Sequence, residues 1–485
     1  MRVSFLLIAT IVLLFEQVVG HDKKVVCYYG SWATYRPGNG NCEVEKIDPT
    51  YCTHAIYTFV GINEDATIRI IDPYADLPDN YGKDGFGKFN ALKKINPNLK
   101  TLIAIGGWNE GSTKFSHVMN NPELRAQFVK NSVDFVLKYG FDGFDFDWEY
   151  PNQRGGIEED KEAYIATIKE LHEAFKPHGL LLSSAVAAAK SSASLSYLIP
   201  KMSPHLDIIN LMAYDLNGGW NNYVGINAPL YPREDESEEI RGNLNVEACI
   251  KYWMDNGVDP KKVVLGMPLY GRSFRLVNKD NYKPGAPASG KGIGGPYSGE
   301  PGMVGLNEIL EISNNGWTHY WEPEGMVPYM VKDYDWIGYE NELSIALKTQ
   351  FAMEKGLGGV MIWSLETDDL TGFSGQKFVF LKTINNILNG GSLPSTTSTP
   401  KPTTSTADPS ISTTDPSIGT TGPTLAPGNI CTKPGFVRDP DDCSVFYMCE
   451  ESSDGSYTQY RFECSDGLYF NEDTEVCDYA ENVQC

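Results

Sequence analysis

The sequence predicts an α/β chain: a parallel (β/α)₈ barrel with a small α+β insertion between strands seven and eight, then a small disulfide-rich C-terminal module. Three observations carry this. Eight short apolar runs alternate with helical patterns across residues 21–390. The gap between the seventh and eighth runs, about 270–355, is longer than one crossover needs and holds strand-like and Gly-rich pieces. Six of the ten cysteines fall between Cys431 and Cys485, the density of a module stapled because its core is small. A doubly wound open sheet is the alternative for the large domain, and eight runs favour closure.

In chain order, residues 1–20 come first. Arg2 precedes an apolar stretch from Phe5 to Phe15, and Val18-Val19-Gly20 gives a small-residue exit before His21-Asp22. That pattern reads as a cleaved secretory signal, since a membrane anchor needs about 20 apolar residues. The mature chain is expected to start near His21 and to be extracellular. The eight runs are residues 25–29, 54–59, 101–105, 143–147, 180–186, 208–212, 263–267 and 360–363. Before the fourth, Asn121-Pro122 opens a helix, Val129, Val133 and Val136 stripe it, and Gly140 stops it. Residues 391–428 fall to Thr, Ser, Pro and Gly, which cannot bury enough surface to offset chain entropy. They read as a linker, with the composition of an O-glycosylated stalk. Residues 429–485 form the terminal module.

Charge narrows the partners. Forty Lys and Arg against sixty-three Asp and Glu leave a formal −23, a surface that repels phosphate backbones and anionic lipids. Nucleic acid and membrane are therefore not expected partners. Seven scattered histidines show no ligand spacing, so neither a metal nor a cofactor is expected.

The segment richest in chemistry is Phe141-Asp142-Gly143-Phe144-Asp145-Phe146-Asp147-Trp148-Glu149-Tyr150. A strand alternates its faces, so Asp145, Asp147 and Glu149 share one side while Phe144, Phe146 and Trp148 share the other. In a barrel the aromatic side packs on the outer helices and the acids point inward, where Val, Ile or Leu is usual. Three acids so close raise one another's pKa and must share protons, which keeps one carboxylic acid protonated near neutrality. A general acid needs that state. Glu149, at the strand's end, is the candidate donor; Asp147 shares its proton, and Asp145 tunes from below. Asp142 has the opposite parity and orders the preceding turn. A solvated acidic edge does not interleave with Phe and Trp, and a divalent-metal site wants more oxygen ligands from neighbouring strands.

These residues, with four further motifs, resemble the chitinases of glycoside hydrolase family 18. The pattern Asp-x-x-Asp-x-Asp-x-Glu is filled by Asp142, Asp145, Asp147 and Glu149, followed by Tyr150-Pro151. The others are Ala104-Ile105-Gly106-Gly107-Trp108-Asn109, Met212-Ala213-Tyr214-Asp215, Gly266-Met267-Pro268-Leu269-Tyr270-Gly271-Arg272, and Trp363. They fall in family order and are most similar to the secreted arthropod members. The residues alone leave Asp215 or Glu366 open as a second carboxylate of a two-acid glycosidase. The resemblance implies instead substrate assistance, with the sugar's N-acetyl carbonyl attacking and the configuration retained. It implies Glu149 as donor, Asp147 and Tyr214 on the acetamide, and Asp145 and Asp215 close by. It implies an endo-acting enzyme on chitin and chitooligosaccharides. Ala104 departs from the Ser of many members, which bears on proton tuning beneath the acids.

Aromatic residues at strand ends suit the flat C–H faces of a neutral polysaccharide. The resemblance implies Trp363 as the floor of the cleavage subsite, lined by Tyr28, Phe59, Met212, Tyr270 and Arg272. Trp108 and Trp220 fall on neighbouring subsites and Trp32 further out, with Tyr150, Asn109 and Ala213 counted among substrate contacts. Gly106-Gly107 is expected to let backbone approach the sugar. A family disulfide implies Cys27–Cys52, while Cys42 and Cys249 are left open, paired together or free.

The terminal module carries seven Asp and six Glu against three Lys and Arg, with nine aromatics. Its cysteine spacing, with Phe446-Tyr447-Met448-Cys449 and Gly467-Leu468-Tyr469-Phe470-Asn471, resembles the peritrophin-A type chitin-binding domain. That resemblance implies Cys431–Cys449, Cys443–Cys485 and Cys464–Cys477. A binding module on a flexible stalk raises the local concentration of substrate at the barrel, and a monomer is expected. A chitinase-like lectin without turnover is the rival; members of that class usually lack the terminal Glu.

Overall fold

A computed structural model of the chain describes residues 21–394 and, further on, 430–433, 435–451, 457–464, 468–472, 476–479 and 483. The expected signal at 1–20 and nearly all of the linker lie outside the described residues.

Eight parallel strands form the barrel, in order Lys24–Gly30, His54–Ile62, Lys100–Gly106, Gly143–Asp147, Leu181–Ala187, Ile208–Met212, Val263–Pro268 and Gly359–Trp363. Each pairs with the next, and the eighth pairs with the first from Lys24↔Gly359 to Cys27↔Ile362, so the sheet closes. The fourth strand has the bounds of the apolar run read from sequence. Its preceding helix, Pro122–Tyr139, starts where Asn121 accepts from the Glu123 and Leu124 amides, with Pro122 at the first turn. Gly140, at φ 77°, ends it in the left-handed conformation that glycine adopts without a Cβ penalty.

Two cores result from strand alternation. The larger lies between strands and helices and includes Phe128, Val136, Phe144, Phe146 and Trp148. The smaller fills the barrel and includes Val26, Tyr28, Ile56, Leu102, Ala104, Val264 and Met361.

The insertion is an antiparallel sheet of Tyr270–Leu276, Ala288–Lys291, Met303–Gly305, Thr318–Glu322, Val327–Lys332 and Asp335–Gly338, with helix Leu306–Ile312. It is shorter than the expected 270–355. Helix Glu342–Glu354 falls within that span, but Ile345, Phe351 and Ala352 pack into the core of the barrel and its helices. The insertion's sheet therefore ends at Gly338.

Cys27–Cys52 is bonded and ties the first strand to the approach to the second. Cys42 and Cys249 are separately buried and free. In the terminal module, Gly435–Arg438, Val445–Glu451 and Tyr457–Glu463 form one antiparallel sheet, and Leu468–Asn471 pairs with Val476–Tyr479. The Cys431–Cys449 bridge is present, and Cys443 and Cys464 are disulfide-bonded. The side chains of Cys477 and Cys485 lie outside the described residues. No helix among the described residues is long and apolar enough to cross a membrane.

Candidate active site

Packing on one side of strand four dictates the chemistry on the other. Phe144 meets Phe128 and Phe175, Phe146 meets Phe115 and Tyr164, and Trp148 stacks on Phe115 at 5.5 Å. Trp148 also donates its indole N–H to Ser112 Oγ at 3.0 Å. With those rings fixed outward, alternation turns Asp145, Asp147 and Glu149 inward, and all three are buried.

The three acids have unequal surroundings. Asp145 accepts from the Tyr28 hydroxyl at 2.8 Å, from Asn210 Nδ2 at 3.1 Å and from Ser183 Oγ. Burial still pushes its carboxyl up to about 6, against those three bonds. Asp147 has no such relief: its Oδ1 is buried with no hydrogen-bond partner among the described residues. Burial, then Glu149 and Asp145, hold its pKa well above the carboxylate range. Burial raises Glu149 to about 7, opposed by a hydrogen bond from Tyr150 and by the Arg154 charge, and assisted by Asp215. The column thus keeps protons near neutrality without a cation inside it. Asp142 faces away, where partial burial is outweighed by the Thr101 amide and Lys93, each at 2.9 Å, and its pKa falls.

Tyr214 points its hydroxyl at Met361 Sδ, 3.9 Å away, a weak acceptor that leaves the O–H available. Asp215 is part-exposed, and its charge acts on Glu149. Arg272 grips it through Nε at 2.7 Å and Nη2 at 2.6 Å, and the Tyr270 hydroxyl donates to it at 2.7 Å. Such a fork fixes the orientation of a carboxylate. Glu366, the other possible second acid, is buried and accepts from the Gly30 amide at 3.0 Å and Ser364 Oγ at 2.6 Å.

Above the acids, Trp363 lies 5.6 Å from Tyr28 and 5.9 Å from Phe59, and Trp32 stacks on Phe59 at 6.2 Å. Trp108 and Trp220 are exposed, and Asn109 is exposed beside Trp108. Met212 is half-buried against the barrel interior, whereas Ala213 belongs to the outer core, turned from the mouth. The glycine pair answers to the protein's own crowding. A Cβ on Gly106 would lie 2.1 Å from the Asp147 carbonyl, and one on Gly107 2.7 Å from the Phe59 ring, both at positive φ.

Sequence reasoning missed Arg154, Ser183 and Asn210. Arg154 lays its guanidinium 3.5 Å over the Trp108 ring and donates to the Glu149 carbonyl at 2.9 Å. A lone loop arginine gives no signal in one sequence. Ser183 was recoverable, because parallel pairing sets it opposite Asp145.

A closed parallel barrel with buried acids of raised pKa at its carboxyl end and an aromatic rim suits the hydrolysis of glycosidic bonds. The family model described as glycosyl hydrolases family 18 matches residues 24–368, and the chain belongs to that family. Residues 431–485 match the chitin binding Peritrophin-A domain. The chain is 42% identical over 363 residues to Probable chitinase 2 of Drosophila melanogaster, covering 73% of each. It is similar to the crystal structure of Ostrinia furnacalis Group IV chitinase in complex with allosamidin, with 43% identity and TM-score 0.74, across 76% of this chain and all of that one. It is also similar to human YKL-39, described as a pseudo-chitinase with retained chitooligosaccharide binding, at 32% identity and TM-score 0.70, across 76% of this chain and 100% of that one.

Proposed function

We propose that the chain is a secreted, endo-acting chitinase that hydrolyses β-1,4-linked N-acetylglucosamine polymers with retention, the substrate's acetamide acting as nucleophile. In this scheme residues 1–20 are the signal, 21–390 the catalytic unit, 391–428 the tether and 429–485 the polymer-holding module of a monomer. Glu149 gives its proton to the glycosidic oxygen as the bond to the anomeric carbon breaks. The acetamide carbonyl oxygen closes onto that carbon, and the chain on the leaving side departs as an alcohol. Glu149, now a carboxylate, takes a proton from water, whose oxygen displaces the acetamide and restores the acid. Asp147 serves the acetamide N–H, and its interaction grows as positive charge develops there, so it favours the transition state over the bound substrate. Tyr214 donates to the same group, and Trp363 underlies the ring.

One observation carries this scheme: a buried Asp147 oxygen without a partner sits beside an acid held protonated to about pH 7. A partnerless acceptor at that point suits an amide N–H brought by the substrate. The likeness to YKL-39 supports a second possibility, a binder without turnover, and Glu149 with its raised pKa argues for turnover instead. The test is digestion of the N-acetylglucosamine tetramer with anomer detection. The β-anomer should appear first; the α-anomer first, or an intact tetramer, refutes the scheme.

A further inference from the structure

Asp215 holds an unusual backbone conformation. Its φ is 55°, in the left-handed region, although it is not a glycine. A residue with a Cβ stays there only where its surroundings over-determine it. The restraint comes from Asn227, a side chain only 1% exposed, whose Oδ1 accepts from the Asp215 amide at 2.8 Å. Nδ2 of the same side chain donates to the Tyr270 carbonyl at 3.2 Å, and the Asn227 carbonyl accepts from the Leu216 amide at 3.0 Å. Beside it, buried Asn217 donates through Nδ2 to the Ile226 carbonyl at 3.0 Å. The loop after barrel strand six thus folds back on itself, with residues 215–217 against 226–227. Asn227 ties that fold to the exit of strand seven.

Two sets of bonds therefore meet at Asp215. Arg272 and the Tyr270 hydroxyl hold its carboxylate, whereas Asn227 holds the backbone from which that carboxylate hangs. Tyr270 takes part in both, because its hydroxyl meets Asp215 and its carbonyl meets Asn227. Without the Asn227 amide, the Asp215 N–H loses its partner and the left-handed turn can relax toward the regions an L-residue prefers. The carboxylate then moves with its Cα. Because the Asp215 charge acts on Glu149, such a displacement is felt at the donor.

We propose that Asn227 is a positioning residue for the hydrolysis: it locks the backbone of Asp215 and so sets where the Asp215 carboxylate stands relative to Glu149. This rests on the proposed chitinase activity. The test is a double-mutant cycle on the full chain, with Asn227→Ala, Asp215→Asn and both together, read as kcat/KM on the N-acetylglucosamine tetramer across pH. Asn227→Ala alone should lose about tenfold, as a small misplacement near the reacting atoms does. Its alkaline limb should move to lower pH, because the Asp215 charge raises the proton affinity of Glu149 and a displaced Asp215 raises it less. In the Asp215→Asn background the same substitution should lose less than about twofold, since the group it positions is already neutral. Equal losses in the two backgrounds, or an alkaline limb that stays at its native pH, overturn the positioning role. If Asn227→Ala melts early, Asn227→Asp decides. A buried carboxyl, held protonated at pH 5, accepts from the Asp215 amide and donates to the Tyr270 carbonyl, so the rate there should stay within about threefold of native. A loss of about tenfold at that pH counts against the role. A native chain that leaves the tetramer intact sinks the underlying activity, whereas native cleavage with additive losses in the cycle sinks the positioning alone.

Discussion

Glu340 and the acids of strand four are similarly buried, but among them only Glu340 has a cation bonded to its carboxylate. Lys348, from helix Glu342–Glu354, bonds the Glu340 carboxylate with both side chains almost wholly inside. In strand four the interior offers Asp145 three neutral donors, Asp147 none, and Glu149 a phenol and the charge of Arg154, whose guanidinium bonds the Glu149 backbone carbonyl and not its carboxylate. A buried charge must be paired or neutralised, and the two regions take opposite solutions. The paired site can only hold the insertion's end to the barrel. The unpaired one stores transferable protons. The Asp215–Arg272 fork at the rim is likewise a carboxylate with a cation bonded to it.

Breaking each region should give different failures. The largest effect is expected for Glu149→Gln, which keeps the shape and removes the proton: turnover on the tetramer should fall by about 10³–10⁴-fold with oligosaccharide affinity retained. A residual rate within tenfold of native would exclude Glu149 as donor. Next, Lys348→Met strands Glu340 without its partner and should cost about 3–5 kcal/mol of stability in denaturant melts, with kcat unchanged while the chain is folded. A native midpoint would mean that the pair holds nothing. Asp147→Asn should lower kcat by about 10²–10³-fold with little change in stability, as expected for a group acting mainly in the transition state. A near-normal rate would remove the acetamide from the scheme.

The smallest effect sharpens the comparison through pH. Glu149 in the folded chain titrates near 7, above its usual value of 4.5, so activity should decline as pH rises through about 7. The sign for stability follows from the same shift. Between those values the folded chain binds more protons than the unfolded one, so the contribution of Glu149 to stability falls as pH rises across that window. Glu149→Gln should therefore melt higher than native at pH 8 and nearly together with it at pH 4. Curves that stay parallel across that range would deny the raised pKa.

Much of this was legible in the chain. Asp145, Asp147 and Glu149 face inward because Phe144, Phe146 and Trp148 must be buried elsewhere, and a period of two allows no third choice. The eight strands were visible because buried parallel strands read as continuous apolar runs. Other features depend on contacts between distant segments. Arg154 acquires a role only when Trp108 arrives beneath it, and Asp215 is fixed only when Arg272 arrives from 57 residues away. Helix Glu342–Glu354 falls inside the insertion expected from sequence because its residues do not state which surface they cover.

By itself, then, the order of residues determined the strand alternation, the barrel class and the identity of the acidic column, because local periodicity and burial of aromatics leave one consistent arrangement. Only the tertiary structure decided which carboxylates keep their protons. That depends on which donors and cations the other strands deliver to each oxygen, and on how much water the closed barrel excludes.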